Sequence, residues 1–118
     1  MSRDARIDLD WADGAHVFRL AWAQLGELQD MCDAGPYVIL KRLEDGSWRI
    51  EDVSNIIRLG LIGGGMPPAE ALKLVRRYVE ARPPMENVIP AHVIMTAALL
   101  GAPDDAPGEG DAESPAKD

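Results

Sequence analysis

The patterning of this chain predicts an α+β fold, mostly α. An N-terminal β-hairpin should be followed by a bundle of four to five short helices and a disordered acidic C-terminal tail. Three observations carry that reading. Apolar and polar residues alternate around an Asp-Gly pair near the start. Five later segments repeat apolar residues with helical spacing between Gly and Pro punctuation, and the last stretch has no large apolar residue at all. With 118 residues the chain is expected to form one domain over residues 1–101, leaving 102–118 as the tail.

Arg6-Ile7-Asp8-Leu9-Asp10-Trp11 alternates with period two, as a half-buried strand does. Asp13-Gly14 is a strong hairpin-turn signal, and His16-Val17-Phe18-Arg19-Leu20 reads as the returning strand. The first helix is expected over Trp22 to Cys32, with Leu25, Leu28 and Cys32 on one face, and Gly35-Pro36 after its end. A second runs from Tyr37 to Leu43 with Val38, Ile39 and Leu43 inward. The third, Glu51 to Ile62, places Glu51 and Asp52 in its first turn, where the helix dipole favours acids. Its stripe is Val53, Ile56, Ile57, Gly60 and Leu61, and Gly63-Gly64-Gly65 ends it. Pro67-Pro68 opens a fourth helix reaching about Ala81, with Ala71, Leu74, Val75, Tyr78 and Val79 inward. A fifth covers Asn87 to Leu100, with Asn87 as its N-cap and Val88, Ala91, Met95, Ala98 and Leu99 as its stripe.

Of the net charge of −8, −5 falls on residues 102–118, so the rest of the chain is nearly balanced. Neither part offers the basic stripe that phosphate binding requires, and nucleic acid is not an expected partner. The tail cannot offset its ordering entropy by burial and is expected to be disordered. No stretch approaches the roughly 18 apolar residues of a membrane span, so no membrane association is expected. The polar start and the single cysteine point to a cytoplasmic protein.

The residues that could carry chemistry do not assemble into a site. His16 and His92 have no carboxylate or cysteine at a useful local spacing and read as surface or half-buried side chains. Cys32 reads as a core residue whose acidic neighbours Asp30 and Asp33 raise its pKa. Gly63-Gly64-Gly65 follows a helix instead of a strand and lacks the lysine of a phosphate loop, so it reads as a helix cap and turn. The expectation is a protein without catalytic residues, cofactor or metal, acting by binding other proteins.

Two features favour binding. A hairpin leaves at least one strand edge open, which makes Val17 and Phe18 candidate interface residues. Leu59, Ile62, Leu72, Ile89, Val93 and Ile94 lie off the main helical stripes. Either a second face of the bundle buries them, or they form an exposed patch that marks an interaction surface.

The ordered set of segments resembles the gene transfer agent family of small phage-tail proteins. The resemblance rests on Phe18-Arg19-Leu20-Ala21-Trp22-Ala23-Gln24-Leu25-Gly26-Glu27-Leu28, on Arg58-Leu59-Gly60-Leu61-Ile62-Gly63-Gly64-Gly65 and on Pro68 to Val79. It extends over residues 6–101, departing only at Met66-Pro67-Pro68, which lacks a Ser or Thr cap. The family implies a role in building non-contractile tails, and its members have been labelled both tail tube proteins and tail assembly chaperones. Two strands are too few for a tube subunit's sandwich or barrel, which favours the chaperone. The resemblance then implies binding to the tape measure protein, recruitment of tail tube subunits and a place in the bacterial host cytoplasm. Self-association through the hairpin is a further expectation. The alternatives are a minor structural tail component or a small non-enzymatic regulator of a host protein.

Overall fold

The computed structural model describes residues 4–102. The acidic tail, apart from Ala102, lies outside the described residues. Strand β1 is Arg6–Trp11 and β2 is Gly14–Arg19, paired antiparallel from Arg6↔Arg19 to Trp11↔Gly14. The turn is centred one residue earlier than the Asp13-Gly14 pair suggests, on Ala12 and Asp13, with Ala12 held at φ 56°. The apolar face decides this register. Pairing Trp11 with Gly14 puts Ile7, Leu9 and Trp11 on the same side as His16 and Phe18, and a one-residue slip would turn one set outward.

Five helices follow: α1 Trp22–Cys32, α2 Pro36–Asp45, α3 Ile50–Gly63, α4 Pro68–Val75 and α5 Val88–Leu100. Helix α4 continues through a π-helical turn, Arg76–Glu80, and a short 3-10 turn, Pro84–Asn87, leads into α5. Gln24 reaches back to the Ala21 N–H at 3.1 Å and Asp52 to the Arg49 N–H at 2.9 Å, each satisfying a donor at a helix start. Asp33 at φ 52° and Gly46 at φ 87° end α1 and α2 in the left-handed conformation common after helices.

The core lies between the inner face of the hairpin and the helices, around Phe18, Leu20, Leu28, Ile39, Ile56, Ile57, Leu61 and Met95. Helix α3 crosses its middle, with its whole predicted stripe buried. Two stripes differ from expectation. In α2, Ile39, Leu40 and Leu43 are buried, which centres the inward face away from Val38 and leaves Val38 half exposed. In α5, Ile94 and Ala97 are buried beside Ala91 and Met95, while Val88, Ala98 and Leu99 are only partly covered. That helix touches α2, α3 and β1 at once, so its apolar surface is used nearly all round.

Two contacts hold the hairpin on the helices. Trp11 Nε1 donates to Asn87 Oδ1 at 2.7 Å, and Asn87 Nδ2 donates to the Tyr78 carbonyl at 2.9 Å. Asn87 therefore occupies the N-cap position of α5 without capping it; its side chain is spent on the hairpin. The ring of Trp11 meets Phe18 and Tyr78 edge-on, at centroid distances of 5.7 and 6.0 Å. At the other end, Gly63 and Gly64 of the α3 terminus lie directly on β2. A Cβ on Gly63 would overlap the Arg19 carbonyl, and one on Gly64 the Val17 carbonyl. Beyond its role as a helix cap, the glycine run is where the backbones of a helix and a strand touch.

Gly63→Ala should therefore cost about 3 kcal/mol, since the Arg19 carbonyl cannot move without shifting the hairpin. Gly26→Ala in α1, where an added Cβ meets nothing within 4 Å, should instead stabilise by about 0.5–1 kcal/mol. Thermal unfolding of the two variants should move in opposite directions.

Candidate protein-binding surfaces

The beginning of α3 carries an ion pair that sets the position of its neighbours. Arg42 of α2 grips Asp52 with both ends of its guanidinium, Nη2 to Oδ1 at 2.7 Å and Nε to Oδ2 at 3.0 Å. Asp52 is fully buried and Arg42 nearly so. Arg42 Nη2 also approaches the Cys32 carbonyl at the end of α1, at 3.5 Å, and Cys32 Sγ faces the Glu51 carbonyl at 3.7 Å. The end of α1, the middle of α2 and the start of α3 are thus joined by polar contacts inside an apolar shell.

On the outer side of that α3 start lies an open groove of about 290 Å³. Val53 and Val79 form its buried floor, Ile50 and Pro84 its walls, and Glu51, Ser54, Glu80 and Arg82 its polar rim. Ile50 is 62% exposed and Met85, next to Pro84 in sequence, is 69% exposed. Ile50 continues the α3 stripe by one turn towards the N-terminus, at i−3 from Val53, and nothing in the fold covers it. The same sequence pattern that located the α3 core could have located this residue.

The eight predicted interface residues do not come together. Phe18, Leu59 and Ile94 have no exposed surface and belong to the core, because hairpin, α3 and α5 close on one another from several sides. For these three, the second face of the bundle is the outcome. Val17, Ile62, Leu72 and Val93 are partly buried, and Ile89 is 74% exposed in the first turn of α5. Val93 lines a second, shallower cleft of about 250 Å³ with Ile7, His92, Thr96 and Ala97.

Both histidines have carboxylate partners. His16 Nε2 lies 2.7 Å from Asp13 Oδ1, a carboxylate three residues before it that the hairpin turn brings into reach. His92 Nε2 lies 3.1 Å from Glu44 Oε2, a partner contributed by α2. The hydrogen bond from His16 holds the Asp13 carboxyl below its ordinary pKa, and that from His92 does the same for Glu44. Burial pushes the Cys32 thiol up to about 12, and the Asp52 charge adds to it; Asp30 and Asp33, expected to do so, are exposed. Among the described residues no group of three or more His, Cys, Asp or Glu is placed to hold a metal ion. None of the described helices is long and apolar enough to cross a membrane.

A hairpin bound by its glycine contacts to a central helix, with four further helices around it, fills residues 4–102. Residues 4–101 match the family described as phage tail tube protein, GTA-gp10. The chain belongs to this phage-tail family. No curated protein and no solved structure matches it. The matched span coincides with the described fold, and the segments that carried the resemblance lie in β2, α1, α3 and α4 of this tail protein.

Arg42→Met in the tail protein should cost about 3–5 kcal/mol in urea unfolding, because it strands the buried Asp52 charge. The Cys32 thiol makes the fold sensitive to alkali. Its pKa rises from the ordinary 9.0 to about 12 on folding, so the folded state holds the proton more tightly. The stabilisation is fully present below pH 9 and is lost as pH rises from 9 towards 12. Urea midpoints measured at pH 8 and 10.5 should fall for the parent and fall less for Cys32→Ala.

Proposed function

We propose that this tail-family protein is a non-enzymatic assembly chaperone. It covers apolar helix surface on the tape measure protein in the host cytoplasm and helps bring tail tube subunits to it. The observation that carries the reading is the groove beside the α3 start, an apolar trough with a polar rim, on a fold built mainly of helices. Long helices with apolar stripes aggregate unless covered, and a row of their side chains fits a trough of this kind. Cover that must later be displaced calls for a small interface, towards or below about 1,200 Å². A single groove of about 290 Å³ walled by Ile50 and Pro84 suits such a small interface.

The description of the family favours a second reading, a tube subunit or minor structural component that stays in the particle. Against a wall subunit stands the strand count. Among the described residues there is one two-stranded sheet, whereas a ring closed by β-structure needs many strands.

Co-expression with the tape measure protein separates these readings. A chaperone should raise the soluble fraction of that protein several-fold and co-purify with it, and Ile50→Glu should abolish both effects while the fold is retained. Equal insolubility with and without this chain would sink the proposal. So would stoichiometric recovery of the chain in purified particles by mass spectrometry, which is the outcome for a structural subunit.

A further inference from the structure

The two edges of the hairpin are not equivalent. In a two-residue hairpin the closing pair exchanges both hydrogen bonds, and bonded and unbonded pairs then alternate. With Trp11 opposite Gly14 as the closing pair, the backbone groups of Val17 and Arg19 point off the free edge of β2. Those of Asp8 and Asp10 point off the free edge of β1. The contacts agree, since the Val17 and Arg19 carbonyls are the two that meet Gly64 and Gly63. The end of α3 therefore covers the β2 edge by steric contact, without a hydrogen bond to the Val17 or Arg19 backbone among the described residues. At the β1 edge, no hydrogen bond among the described residues reaches the N–H or C=O of Asp8 or Asp10.

The surroundings of the open edge specify what fits there. On the core side, Ile7 with Val93, Thr96 and Ala97 forms the shallow apolar cleft of about 250 Å³; no β2 residue lines it, which places it on the β1 side of the sheet. The Thr96 hydroxyl within it is buried and lacks a hydrogen-bond partner. On the solvent side the edge is acidic: Asp8 is held by Arg6 at 3.2 Å, and Asp10 has no ion pair among the described residues. A second copy of β1 fits poorly. Antiparallel two-fold registers centred on Asp8, Leu9 or Asp10 each set at least one aspartate opposite another, and like charges directly opposed destabilise a sheet.

From this we infer that the outer edge of β1 docks an extended segment of a partner protein in which basic and apolar residues alternate. The added strand pairs with the free backbone groups of Asp8 and Asp10. Its basic side chains lie on the solvent face beside those two carboxylates, and its apolar side chains enter the Ile7–Val93–Ala97 cleft. This site stands apart from the α3 groove, and the inference does not depend on the chaperone reading.

The 118-residue chain can be titrated with a blocked heptapeptide of alternating Lys and Val, followed by amide hydrogen exchange. Binding should be saturable and should slow exchange at Asp8 and Asp10 at least tenfold, leaving the already paired Ile7 and Leu9 unchanged. A peptide of the same composition with its lysines contiguous should bind at least tenfold more weakly. Asp8→Pro removes a donor that points away from β2, so the hairpin ladder survives while affinity falls about tenfold. The double variant Asp8→Lys with Asp10→Lys should lose the Lys/Val peptide and bind a Glu/Val one. Equal binding of the scrambled peptide, protection at Val17 and Arg19 instead, or no binding at millimolar peptide would overturn the inference. A free chain that sediments as a dimer with Asp8 and Asp10 already protected would also overturn it, because a second copy would then occupy the edge.

Discussion

Two strands joined by a tight turn are marginal in water, so the hairpin exists here only because something receives it. What receives it is the C-terminal end of α3. Gly63 and Gly64 allow that helix to meet the Val17 and Arg19 carbonyls backbone to backbone, with no side chain between them. Farther back along α3, Gly60 serves the same packing: a Cβ there would stand 3.2 Å from Phe18 Cδ2 and 3.4 Å from Ile94 Cγ2. Close approach at three positions of one helix brings Phe18 and Leu20 into the centre of the core, where neither retains any exposure. The aromatic cluster around Trp11, and its hydrogen bond to Asn87, then hold the turn end of the same hairpin.

A second constraint is electrostatic. Placing Asp52 in a fully buried position costs several kcal/mol unless its oxygens are satisfied, and Arg42 together with the Arg49 N–H does this. An apolar replacement of comparable volume could pack as tightly, but it would lack direction. The fork geometry of the guanidinium fixes how α2 lies against the first turn of α3, and with it which side of α3 is left open. Ile50 stands two residues before Asp52 and Val53 directly after it, so the pair that anchors this turn also orients the wall of the groove.

The molecule therefore presents two different kinds of surface. The α3 groove is a trough between helical segments and suits a helical ligand. The β1 edge is a row of unused backbone groups above an apolar cleft and suits an extended one. They lie on separate elements, so occupation of one leaves the contacts of the other in place.

Much of the architecture was legible in the residue order. The alternation from Arg6 to Trp11, the stripe from Val53 to Leu61 and the prolines at 36, 67 and 68 are local signals, set by backbone periodicity and by which residues tolerate a chain reversal. They placed both strands and all five helices to within a few residues. The ordered set also carried the family. What periodicity could not supply was the choice among apolar positions. Leu59 and Ile94 repeat as plausibly on an exposed face as on a buried one, and only the arrival of β2, α3 and α5 from different directions covered them. The same holds for polar groups. Arg42 and Asp52 are 10 residues apart, Trp11 and Asn87 are 76 apart, and nothing in their spacing announces either pairing. Local sequence sets the shape of each element because those forces act over one or two turns. Which faces are hidden, which edge stays open and where buried charges meet depend on contacts between distant residues, and those exist only once the chain has closed on itself.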